Sequence, residues 1–83
     1  MKPGNISGFL MINITPVSRI IPTYRDLANF KEVVEMHEVT GEYDLILKFV
    51  VQSSEELGKL VNEIRALKGV NSLETIVSYH KIV

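Results

Sequence analysis

The sequence has no cysteine and no tryptophan, with only three prolines and five glycines among its 83 residues. Without cysteine there is no disulfide, no thiolate metal site and no cysteine nucleophile. A chain this short buries about 60–65% of its unfolded surface, which leaves it marginal on its own. With disulfides excluded, association with further chains is the remaining route to stability. An excess of one charge is missing too: nine basic residues face ten acidic ones, for a net charge of −1. Sequence-independent nucleic-acid binding needs a clustered basic face. Here Arg19, Arg25, Lys31, Lys48, Lys59, Arg65, Lys68 and Lys81 are scattered. No apolar run reaches membrane-spanning length, and "MKPGNIS" lacks the apolar core of a signal peptide. A cytoplasmic protein is expected, with no membrane contact and no direct nucleic-acid contact.

What is present is dense apolar patterning, 46% hydrophobic residues. Met1–Ser7 reads as a short tail, and residues 8–83 as a single domain. "GFLMINI" (Gly8–Ile14) is rich in strand formers. In "SRIIPTYRDLANF", Ile20, Tyr24 and Leu27 fall at spacings of four and three, an amphipathic helix. Pro22 is tolerated only in a first turn, where the N–H groups lack partners anyway. The helix is therefore expected to start near Arg19–Pro22 and to end near Asn29. "EVVEMHEVT" (Glu32–Thr40) reads as a second strand, Gly41-Glu42 as a two-residue hairpin turn, and Tyr43–Val51 as a third strand. Ser53 and Glu56 form a capping box ahead of a helical stripe of Leu57, Leu60, Val61, Ile64 and Leu67. Gly69 is expected as its left-handed cap, and Val70–Val83 as a long last strand.

The order β-α-β-β-α-β is the split βαβ pattern. Right-handed crossovers put both helices on one face of the sheet. The expected class is α+β: a ferredoxin-like βαββαβ domain with an antiparallel sheet in the order 4-1-3-2. Its helix-free face should then be polar in a monomer. Yet alternation puts Tyr43, Leu45, Leu47, Phe49 and Val51 on one face of the third strand, and Ile46 and Val50 on the other. Leu10, Ile12 and Ile14 oppose Phe9 and Met11 in the first strand. Ile76 opposes Leu73, Val77 and Tyr79 in the last. Apolar residues on both faces imply a second copy packed sheet on sheet.

Catalytic and metal constellations are weak. His37 and His80 fall on opposite edge strands, roughly 14 Å apart. No serine lies in a nucleophile elbow, and "TPVSR" lacks the glycines of a phosphate loop. Arg19 alone is thin support for phosphate handling, so no enzyme and no cofactor is expected. The turn Gly41-Glu42-Tyr43-Asp44 has two readings. In the plain one, Gly41 makes the hairpin, Glu42 is solvated, Tyr43 caps the core and Asp44 bonds a turn N–H. In the other, Asp44 is an acid at a subunit boundary, where it needs a cationic partner. That partner is a ligand ammonium, or a basic side chain of another subunit.

"VTGEYDLILKF", the capped helix "SSEELGKLVNEIRALKGV" and "SLETIVSYHKIV" together resemble the effector domain of the Lrp/AsnC family of amino-acid-responsive transcriptional regulators, the RAM domain. The Val-Thr-Gly-Glu-Tyr-Asp turn is the most specific part, and Gly69-Val70 and Thr75 add to it. Two features depart from the family pattern. Only seven residues precede the first strand, where the family usually carries a helix-turn-helix domain, so a stand-alone module is expected. Val17 and Phe30-Lys31-Glu32 replace the family's glycine-containing pieces around the first helix. The resemblance implies a dimer that packs through its sheets and assembles further into a higher oligomer. It also implies a small amino acid bound between dimers, by Gly41, Glu42, Tyr43 and Asp44 of one subunit with Thr75, Val77 and Ser78 of another. The alternative is an interaction protein that joins full-length Lrp/AsnC regulators without a ligand of its own.

Overall fold

The computed structural model describes residues 5–83; Met1–Gly4 of the expected tail lie outside the described residues. Strand β1 spans Ile6–Ile14, β2 Val33–Glu38, β3 Leu45–Val51 and β4 Val70–Val77, with helices α1 (Ile20–Ala28) and α2 (Ser54–Arg65). Ile6 and Ser7, expected in the tail, open β1. The sheet runs β2-β3-β1-β4 and every pairing is antiparallel. This is the expected 4-1-3-2 order of a ferredoxin-like fold.

Leu10, Ile12 and Ile14 of β1 alternate inward with Leu45, Leu47, Phe49 and Val51 of β3, and pack with Leu27 of α1 and Leu60 and Ile64 of α2. A turn of 3-10 helix at Val17–Arg19 leads into α1, so Pro22 is the third helical residue and needs no partner for a missing N–H. Thr23 is fully buried in α1 and was not expected in the core. Its hydroxyl is satisfied by donating to the Lys68 carbonyl at 3.1 Å.

Helix α2 begins on its cap: Ser53 Oγ accepts from the Glu56 N–H at 3.1 Å. The Glu56 carboxylate reaches back one residue further than the usual box, to the Gln52 N–H at 3.3 Å. Ser53→Ala should therefore cost about 1 kcal/mol. Urea denaturation followed by circular dichroism checks this, and an unchanged midpoint contradicts it.

Three further boundaries differ from expectation. Helix α2 ends at Arg65, with Ala66 as its cap, so Gly69 is not the helix cap. It lies three residues on, with φ of 102°. A Cβ there would stand 2.6 Å from Thr23 Oγ1 and 2.9 Å from Arg19 Cβ, so close packing on α1 as well as the φ selects glycine. Strand β4 stops at Val77, not Val83. The Ser78 N–H still bonds the Ser7 carbonyl at 2.8 Å, but by then the ladder has run to the first residues of β1. The third departure, at the β2–β3 connection, shapes the candidate site.

Candidate functional site

The connection is not a two-residue hairpin. It runs over residues 39–44, closed by the Val39 N–H bonded to the Asp44 carbonyl at 3.1 Å. Gly41 has φ of 113°, which a side chain would strain. The N–H groups of Thr40, Gly41, Glu42 and Tyr43 find no acceptor among the described residues. Four consecutive free donors thus lie on one exposed turn.

Leu45 is the register partner of Ile12, yet the Asp44 N–H also bonds the Ile12 carbonyl at 3.0 Å. Two residues of one strand face one of the other, which is a β-bulge. A bulge interrupts alternation, so Asp44 stays on the same side as Leu45, toward the helices. There it lines a cavity with Ile20 and Tyr24. Its Oδ2 accepts the Ile14 N–H at 2.8 Å, in place of the missing ladder bond. Tyr43 falls on the helix-free side. Its hydroxyl donates to Glu74, whose register partner Met11 alternates away from the core. Tyr43 therefore does not cap the core, and the face assigned to it from alternation is corrected. The bond to Glu74 is the main cause that raises the Tyr43 phenol above its usual range.

The expected β4 residues lie elsewhere. Thr75 pairs with Leu10 and Val77 with Gly8, both on the helix side, while Ser78 is on the helix-free side. Leu73 is level with Ile12 and hence with the turn end of β3. At ~3.3 Å per residue, Thr75, Val77 and Ser78 lie about 7, 13 and 17 Å further along the edge. One chain brings Gly41–Asp44 together and does not bring the β4 residues to them.

Two residues missed in the sequence stand beside the turn. The Tyr24 hydroxyl donates to Glu38 Oε2 at 2.8 Å. Burial first, then this bond and the charges of Glu38 and Asp44, push the Tyr24 phenol up to about 12. Tyr24 was legible only as part of the apolar stripe of α1. The bulge that turns Asp44 toward it leaves no mark in composition.

On the helix-free face, Phe9 is 39% exposed and Ile76 46%, while Ile46, beside Met11, and Val50, beside Ser7, are half-buried. His37 Nε2 lies 3.1 Å from Glu35 Oε1 at the edge of this face. Among the described residues no group of three or more His, Cys, Asp or Glu could hold a metal ion, and no helix is long and apolar enough to cross a membrane.

A sheet of this order, backed by two helices, defines a ferredoxin-like βαββαβ domain. The Lrp/AsnC ligand binding domain model matches residues 7–83, and the chain belongs to that family. It is 29% identical over 73 residues to the HTH-type transcriptional regulator FL11 of Pyrococcus furiosus, covering 88% of this chain and 48% of the regulator. The chain thus spans about half the length of that relative. It superposes on TTHA0845 of Thermus thermophilus with a TM-score of 0.86 at 29% identity, covering 94% of this chain and 98% of that one. The transcriptional regulator NMB0573 of Neisseria meningitidis, solved as its L-Met complex, superposes with a TM-score of 0.88 at 16% identity. That overlap covers 94% of this chain and 52% of the other. Transcriptional regulators stand among the chain's relatives, and a homocitrate synthase of Sulfurisphaera tokodaii matches 96% of this chain over 17% of its own length, at 29% identity.

Proposed function

We propose that the chain is an amino-acid-binding effector domain that acts as an oligomer. The observation that carries this reading is the turn over residues 39–44, where four free N–H groups stand beside a carboxylate. The amides of Thr40–Tyr43 hold the ligand carboxylate, and Asp44 faces its ammonium. Glu42 shapes the rim, and Tyr43, held by Glu74, walls the side nearest β4. Thr75, Val77 and Ser78 complete the site from a neighbouring subunit, because their distance along β4 keeps them from their own turn. The methionine complex of the Neisseria neighbour supports an amino acid as the ligand class. The apolar helix-free face supports assembly. That face also fits the matching face of a longer Lrp/AsnC regulator, which is the second reading.

Thermal melts with each of the twenty L-amino acids test the proposal. A ligand at a hundred times its Kd stabilises the folded state by about 2.7 kcal/mol, or on the order of 10 °C for a domain this size. If none raises the melting temperature, the amino-acid reading fails. Co-elution with a longer family member would then favour the second. Asp44 separates bracing from binding. Asp44→Asn keeps an acceptor for the Ile14 N–H but loses the charge. It should weaken the amino acid about tenfold or more, since a bond to a charged group contributes about 1.5–3 kcal/mol, and leave the ligand-free melt little changed. Asp44→Ala should lower both. Wild-type affinity in Asp44→Asn, measured by calorimetry, removes the carboxylate from the site.

A further inference from the structure

The cavity that Asp44 lines is an open groove bordered by α1, the end of β2 and the glycine turn. It measures about 300 Å³ and is lined by Ile20, Tyr24, Glu38, Val39, Thr40 and Asp44. A second cavity of about 320 Å³ adjoins it, sharing Tyr24 and Glu38 and adding Met36 and Leu45. Resting on the amino-acid reading above, we infer that this groove receives the ammonium end of the ligand, held by Glu38 and Tyr24 together with Asp44, and that Glu38 and Tyr24 are binding residues.

The hydrogen-bond inventory supports this. The only hydroxyl proton of Tyr24 goes to Glu38 Oε2, which leaves the phenol oxygen as an acceptor. Glu38 Oε1 and Asp44 Oδ1 accept no bond from the described residues. The groove thus offers three oxygen acceptors from three residues and no spare side-chain donor among them. A primary ammonium brings three donors and no acceptor, so donors and acceptors match one for one. Two carboxylates with no lysine or arginine in either lining repel an anion. The phenol stays protonated through physiological pH, so it adds no third charge.

The rest of the lining sets the ligand class. Ile20 and Val39 flank the polar corner, and Met36 and Leu45 line the adjoining space. Thr40, at the rim, is the first of the four residues with free amides. An α-amino acid lying there has its ammonium inside, its carboxylate on the turn and its side chain on apolar surface. The groove selects an uncharged, apolar amino acid over aspartate or glutamate.

L-Methionine is a suitable probe, with N-acetyl-L-methionine, which lacks the ammonium, as its counterpart. Calorimetry on the full chain should show L-methionine binding and no binding of the acetylated form. Glu38→Gln still accepts from Tyr24 but loses its charge, and should weaken L-methionine about tenfold or more. Tyr24→Phe keeps the ring and removes one acceptor, for a loss of about fivefold. Glu63→Gln, on the exposed side of α2, should bind as wild type. The ligand-free melting temperature of Glu38→Gln should stay within a few degrees of wild type, which a merely structural role would not give together with lost affinity. If wild type binds L-methionine and both groove variants bind within twofold of it, the inference is overturned while the amino-acid reading stands. Equal binding of N-acetyl-L-methionine overturns it as well. If wild type binds none of the twenty amino acids, both fall together.

Discussion

Met11→Glu should convert the assembled protein to a monomer of 9.4 kDa. Met11 lies near the middle of β1, one of the two inner strands, on the face that no helix covers. It is already only 9% exposed within one chain, between Ile46 on β3 and Glu74 on β4. A second sheet packed there would bury a new carboxylate without a partner, beside the existing Glu74 carboxylate. Such a charge costs about 3–5 kcal/mol, which weakens association by roughly a hundredfold to a few thousandfold. Met11 lies outside the helix-covered cluster, so the variant should keep its secondary structure by circular dichroism; if it unfolds, Phe9→Glu, at a position 39% exposed on the same face, makes the same test. Light scattering at micromolar concentration should give a dimer or a multiple of it for wild type, and the monomer mass for the variant. A folded wild-type monomer at that concentration, or an unchanged variant mass, contradicts packing through this face.

Phe49→Ala should bring the largest loss of stability. Phe49 is fully buried in β3, with Val33 opposite on β2 and Gly8 opposite on β1. Removing the ring costs about 3–5 kcal/mol through lost burial and the cavity left behind. At 0.05–0.15 kcal/mol per residue the whole domain holds only about 4–12 kcal/mol. Its melting temperature should therefore fall by more than about 10 °C, and at the lower end of that range the variant is partly unfolded at 37 °C. Because β3 carries the turn, ligand binding should fall in step with the folded fraction. Chemical denaturation measures this directly, and a loss below about 1 kcal/mol contradicts the core assignment.

The fold was legible because its elements are locally consistent. Ser53 and Glu56 mark the start of α2 in the sequence, and Ser53 caps it in the structure. Pro22 falls in the first turn, where its missing N–H is harmless. Leu45, Leu47, Phe49 and Val51 alternate inward as read. The β-α-β-β-α-β order then left one sheet topology. The failures arose where one residue disturbs a period. The bulge at Asp44 and Leu45 adds a residue against Ile12, so Tyr43 and Asp44 exchange faces relative to simple alternation. Nothing in "GEYDL" announces it, because the cause is the Ile14 N–H bonded to the Asp44 carboxylate, thirty residues away in sequence. Gly69 looked like a helix cap because it follows α2. Its position is fixed by Arg19 and Thr23 of the α1 region, a contact that local sequence does not contain. Of the candidate site, the turn could be read from sequence. Tyr24 and Glu38 could not, since they meet the turn only after the sheet and α1 are assembled.

Binding of an amino acid by the free amides of the turn should be visible on those amides. In backbone amide NMR of the isotope-labelled chain titrated with L-methionine, saturable shifts are expected at Thr40, Gly41, Glu42 and Tyr43, with Ile14 and Asp44 following, and no matching change along the exposed side of α2. Saturable binding that leaves the amides of Thr40–Tyr43 unmoved while shifting residues elsewhere would contradict it.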